Sequence, residues 1–172
     1  MRRSSVVLMA AVLMVPALGL MQPAGAVGGT VCANETGSAA ITPGLSLHPH
    51  DQTFVVTESL AGCAGGGVKM AKAKATLKYL AQTCLGLTKA GVKTALHDTI
   101  TWNTGASSTV DGTITTGPRI GQASVTGKVT AGVFVGLHVK NKVSYTLSGL
   151  QCGVTTLIKT LHFKGVTSFS IS

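Results

Sequence analysis

Residues that could carry out chemistry are few and poorly assembled. His97-Asp98, with any of the many serines, would supply the members of a nucleophilic hydrolase. That chemistry needs the base hydrogen-bonded to the acid. Neighbours on a strand point to opposite faces, and no Gly-x-Ser-x-Gly elbow is present. Glycoside cleavage needs a facing pair of carboxylates, and the chain offers only Glu35, Asp51, Glu58, Asp98 and Asp111. His48 and His50, two apart, could share a strand face and hold a metal, but Pro49 and Asp51 make them read as loop residues. Gly65-Gly66-Gly67 lacks the Lys-Ser or Lys-Thr of a phosphate loop and reads as a turn. The sequence is therefore expected to be non-enzymatic, with no cofactor and no metal.

The four cysteines, Cys32, Cys63, Cys84 and Cys152, carry a different chemistry. They form no Cys-x-x-Cys pair, so zinc is disfavoured. An even number in an exported chain reads as two disulfides. The segments 29–46 and 53–63 alternate loosely around a polar bend at His48-Pro49-His50-Asp51. A hairpin folded near Leu47 and His48 sets Cys32 opposite Cys63, which leaves Cys84 to pair with Cys152.

Charge is the other signal. The formal net charge is +9, or +7 without Arg2 and Arg3. In Met70–Leu80 a helix-favouring Ala/Lys/Leu composition competes with strict alternation. Read as a strand, it puts Lys72, Lys74, Thr76 and Lys78 on one face and Ala71, Ala73, Ala75, Leu77 and Tyr79 on the other. The lysine row of Lys72, Lys74 and Lys78 is a candidate contact for an anionic surface, or else guards a sheet edge. Nucleic acid is the poorer partner, because arginine, the better base reader, is nearly absent.

The chain opens with Arg2 and Arg3, an apolar run over Val6–Leu20, and Ala24 and Ala26 in an A-x-A pattern. This predicts a signal peptide over 1–26 and a single mature domain over 27–172. The apolar run is shorter than the roughly 20 residues that span a bilayer, so no transmembrane segment is expected in the mature chain.

Strand signals recur through the rest. Odd positions from Ala123 to Val139 are mostly apolar, and the same parity resumes at Val143, Tyr145 and Leu147. Folding back at Asn141 would set Leu137 opposite Tyr145 and Val135 opposite Leu147, with one apolar face across both arms. His97–Trp102, Val110–Thr116, Arg119–Thr126 and a late strand around Leu157, Leu161 and Phe163 add to the set, and Val166–Ile171 closes it. One short helical turn is expected near Cys84 and Leu85, and Trp102 is expected to plug the core. The fold class is all-β, a single antiparallel sandwich or flattened barrel of about eight to ten strands.

Several short segments carry a resemblance: Cys32 followed by Thr36-Gly37 and Ile41-Thr42-Pro43-Gly44-Leu45, then Leu60-Ala61-Gly62-Cys63, Cys84-Leu85, Ile100-Thr101-Trp102, Gly132-Val133-Phe134-Val135-Gly136 and Cys152-Gly153-Val154. Together the chain resembles a family of small exported actinobacterial β-rich proteins of uncharacterised function. That resemblance implies a β-fold and export, and it assigns no catalytic residue. The lysine content departs from it. The expected role is a secreted β-domain drawn to anionic cell-wall polymer or a membrane surface, with a protease inhibitor or a hydrolase as alternatives.

Overall fold

A computed structural model describes residues 28–119, 121–146 and 157–172. The expected leader at 1–26 lies outside the described residues, as does Cys152. Nine strands follow in order: β1 (Thr30–Leu45), β2 (His50–Ala64), β3 (Met70–Gln82), β4 (Lys93–Trp102), β5 (Ser107–Thr116), β6 (Gln122–Gly132), β7 (His138–Thr146), β8 (Ile158–Gly165) and β9 (Phe169–Ile171). A short 3-10 helix, Leu85–Thr88, lies between β3 and β4.

Each strand from β1 to β8 pairs antiparallel with its sequence neighbour, and β8 pairs back onto β1. The result is a closed eight-stranded barrel, so the sandwich alternative is excluded. Strand β9 carries the line of β8 onward between β7 and β1: β1 meets β8 at Thr36↔Lys164 and β9 at Cys32↔Phe169. Lys72 and Lys74 lie where β3 is bonded on both sides and guard no edge, whereas Lys78 lies beyond the pairing with β4, which ends at Ala75.

Alternation decides β3. Ala71, Ala73, Ala75 and Leu77 are buried while Met70, Lys72, Lys74, Thr76 and Lys78 are exposed. The helical propensity of alanine and lysine amounts to a few tenths of a kcal/mol per residue, roughly, and loses to pairing with two neighbours over one buried face. The β1–β2 register places Cys32 directly opposite Cys63, as the hairpin symmetry predicts, and the two form a disulfide. Cys84 is buried near the opposite end of the barrel, and Cys152 lies outside the described residues.

The interior holds two apolar clusters stacked along the axis. At the disulfide end, Trp102, Ile100, Val129, Phe134, Phe169 and Ile171 pack together. Trp102 is 2 % exposed, meets Phe134 edge-on with ring centroids 5.3 Å apart, and donates its indole N–H to Ser108 Oγ at 2.9 Å. At the other end Ile41, Leu45, Phe54, Leu77, Leu96 and Leu161 form the second cluster, with Leu87 of the 3-10 helix among them.

The structure corrects the hairpin at the end of the chain. Asn141 is not a turn residue; it lies within β7, opposite Val125. The chain reverses instead between Gly132 and His138, where Gly132, Phe134 and Gly136 all have positive φ, at 82°, 68° and 90°. The Gly136 N–H donates to Val129 O and the Leu137 N–H to Phe134 O. Val133, Phe134 and Val135 read as strand because they are apolar, but Phe134 is turned inward as a plug and Val135 is left 62 % exposed. The shared parity survives, since Ala123, Val125, Val139, Val143 and Tyr145 still face inward. Leu157, expected on the inner face, is exposed, and Ile158 takes the buried position.

Candidate functional site

Strand register assembles two parallel rows on the outer wall. One runs Lys164, Thr36, Ser59, Lys72, Thr101; the other runs His162, Ser38, Thr57, Lys74, Thr99. Each crosses β8, β1, β2, β3 and β4 in turn. Neighbouring strands lie roughly 4.8 Å apart and alternate residues of a strand roughly 7 Å apart, so each row is about 19 Å long and the two lie side by side. Between them the wall dips into a groove of about 860 Å³ lined by every member of the two rows but Lys164, with Gly37, Glu58 and Ala73 in its floor. Position 37 must be glycine, because a Cβ there would collide with the Phe163 ring on the inner side.

Lys72 and Lys74 both line this groove, and Lys78 continues the same face of β3 beyond it. The surroundings are hydroxyls; Ser38 Oγ and Thr57 Oγ1 are 3.3 Å apart and share a hydrogen bond. No lysine or arginine among the described residues is ion-paired; the sole salt bridge there joins His97 to Asp111.

The cause lies on the inner wall. Glu35, Glu58 and Asp98 project into the barrel, so three of the five acids are withdrawn from the surface. All twelve described lysines and arginines are exposed, and on the outside only Asp51 and Asp111 oppose them. Asp51 accepts the Ala81 N–H at 3.0 Å, and Asp111 is engaged by His97 Nδ1 at 2.6 Å and by the Thr130 hydroxyl at 2.9 Å. The bonds from His97 and Thr130 hold the Asp111 carboxyl below its usual range.

The inner acids sit where the two apolar clusters meet. Burial raises Glu35 to about 7, against a hydrogen bond from Asn141 Nδ2 at 2.8 Å that lowers it and the charge of Asp98 that raises it. Burial also lifts Asp98, partly offset by backbone hydrogen bonds at Thr99 and Lys74. Glu58 keeps some exposed area as a residue, but its carboxyl is densely surrounded; burial, then Glu35 and Asp98, pushes it well up. Density around the carboxyl, rather than the exposed area of the whole residue, sets its solvation.

Sequence reasoning weighed these acids as counter-charges to the lysines, as a carboxylate pair and, for Asp98, as a partner of His97, but not as a buried cluster. The signal was present in the alternation: Glu58 shares parity with Phe54, Val56 and Leu60, Asp98 with Leu96, Ile100 and Trp102, and Asn141 with Val139, Val143 and Tyr145. Of the other candidate groups, His97 faces outward and Asp98 inward, so the two do not pair. His97 instead meets Asp111, the residue directly across on β5. His48 and His50 are both exposed, the first in a bend and the second at the start of β2. Among the described residues no three His, Cys, Asp or Glu stand together as a metal site, and no helix is long and apolar enough to cross a membrane.

What this arrangement can do is bind. Its outer groove offers paired ammonium groups set among hydroxyl donors, a surface suited to phosphate or carboxylate oxygens. No family model matches the chain, and no curated protein matches it.

Proposed function

We propose that this chain is a secreted, non-enzymatic binding module that holds an anionic cell-envelope polymer in the groove across β1 to β4. One observation carries the reading: Lys72 and Lys74 stand side by side in a hydroxyl-lined groove, with three acids sequestered inside the barrel. A groove about 19 Å long suits a flexible glycan or phosphate chain better than a planar bilayer face. Lysine ammoniums act as point charges and hydroxyls adapt their donors, so recognition should be of charge and spacing rather than of one residue type. The leader expected at 1–26 and the Cys32–Cys63 disulfide support export. A second disulfide, Cys84–Cys152, would pin the opposite end of the barrel and completes the reading of a domain built for an oxidising exterior.

The test is retention of the protein lacking residues 1–26 on isolated phosphate-bearing wall polymer. Retention should fall sharply from dilute buffer to 0.5 M salt, where the Debye length is about 4 Å. K72E/K74E should lose retention, whereas K89E/K93E, which carries the same change of charge elsewhere, should keep most of it. Equal loss in the two variants would mean that net charge alone drives binding, and the groove assignment would fall. Stronger capture by anionic lipid vesicles than by the polymer would move the partner to a membrane surface.

A further inference from the structure

The barrel interior contains space and unmet polar atoms that the outer groove does not use. A chamber of about 100 Å³ lies between Phe54, Leu77, Tyr79, Leu161 and Phe163 on one side and Val143 and Tyr145 on the other. It shares Val56, Glu58, Ile114 and Val125 with a smaller space of about 20 Å³ whose walls include Asp98 and Asn141. The two are thus contiguous, apolar at one end and polar at the other. Glu35 Oε2, Asp98 Oδ1 and Asn141 Oδ1 are buried without a hydrogen-bond partner, Asp98 and Asn141 in the wall of the smaller space and Glu35 joined to Asn141 through its other oxygen, and the residues that bear them are 5 %, 8 % and 6 % exposed.

All three orphaned atoms are acceptors when the carboxyls are ionised. A buried acceptor left unmet costs about 1 to 3 kcal/mol, so three in one place call for donors. Once the carboxyls have lost their protons, no cationic side chain among the described residues reaches in to meet these atoms. Every described lysine, arginine and histidine is exposed; the Tyr145 hydroxyl donates to Leu87 O, and Tyr79 is hydrogen-bonded to Thr94. An ammonium has three donors and no acceptor, and its charge would offset the mutual repulsion of Glu35, Glu58 and Asp98. The chamber is of the order of a cavity that binds benzene, roughly 150 Å³, so the apolar portion must be short.

We propose that the barrel interior is a binding site for a small primary amine with a short apolar tail, the ammonium meeting the unpaired oxygens of Glu35, Asp98 and Asn141 beside Glu58, the tail filling the chamber against Phe54, Leu161 and Phe163. The titratable groups that line it are Glu58 from β2, Tyr79 from β3, Asp98 from β4 and Tyr145 from β7, with Glu35 from β1 behind Asn141, to which it is hydrogen-bonded. Inward positions of β5, β6 and β8 are apolar, glycine, serine or threonine. Because the site needs ionised carboxyls, affinity rises as they lose protons.

Calorimetric titration with n-pentylamine, n-pentanol and pentanoate tests this without any variant. The amine should bind at least tenfold more tightly than the alcohol at about pH 8, pentanoate should not bind, and amine affinity should fall at least tenfold by about pH 5. Amine binding should also raise the melting temperature, and D98N should weaken it at least tenfold. K72E/K74E should leave it unchanged, which separates this site from the outer groove. Equal binding of amine and alcohol would show a neutral apolar cavity whose polar end holds only water. Absence of amine binding in the millimolar range, or binding that strengthens toward pH 5, would overturn the assignment.

Discussion

Raising the pH through neutrality should loosen this barrel. Native Glu35 holds its proton up to about pH 7, whereas the unfolded chain releases it near the ordinary carboxyl value of 4.5. Between those values the native state binds more protons than the unfolded state, so the contribution is fully present below about 4.5 and lost as pH climbs through about 7. A difference of about 2.5 pKa units corresponds to about 3 kcal/mol. Glu35 is 5 % exposed, so solvent screening takes little from this figure. Glu58 and Asp98 are raised too and act in the same direction. The perturbation to make is E35Q, which keeps the shape and retains an acceptor for Asn141 Nδ2 while removing the titration. Urea unfolding at about pH 5, 6, 7 and 8 should show wild-type stability falling by about 3 kcal/mol or more, roughly 10 °C in Tm for a domain of this size. The E35Q protein should show a slope smaller by about that amount and should exceed wild type at about pH 8. Wild-type stability that is level or rising across this range, or an unchanged slope in E35Q, would refute the buried-carboxylate reasoning.

Two further outcomes follow from the covalent and backbone geometry. Replacing Cys32 and Cys63 by serine opens a link across 31 residues and should cost about 4 kcal/mol in the chain-entropy view, with non-reducing peptide maps of the wild type joining Cys84 to Cys152; a peptide joining Cys32 to Cys84 would contradict the pairing. In the β6–β7 turn, G136A meets only the left-handed φ of 90° and open space, so it should cost about 1 to 2 kcal/mol, whereas G132A also drives a Cβ into the Ser107 carbonyl and should cost clearly more. Equal chemical-denaturation midpoints for the two variants would show that the collision is relieved.

Much of this molecule is legible locally. The loop lengths on either side of the His48–His50 bend determine that Cys32 faces Cys63, because an antiparallel hairpin is symmetric about its turn. Alternation determines which way the β3 lysines point, since a period of two assigns each residue to one wall. The same period placed Glu58, Asp98 and Asn141 inside, but an acid on an apolar face is weighed as surface charge until a closed wall is known to leave it no water. The Gly132–Leu137 reversal escaped because Val133, Phe134 and Val135 have strand composition, and only the positive φ values at Gly132, Phe134 and Gly136 distinguish a turn from an extended run.

Tertiary structure alone decided the rest. Closure depends on β8 meeting β1 at Ala39↔Leu161, a contact between segments far apart in sequence. No local pattern sets that register; it is chosen by which side chains fill the interior, as where Phe163 lies over Gly37. Both candidate sites inherit that choice. The outer rows align hydroxyls and lysines from five strands because closure brings Lys164 to Thr36 and His162 to Ser38, and the inner space exists because small residues such as Ala39, Ala75 and Ala123 line a barrel wide enough to leave room beside them.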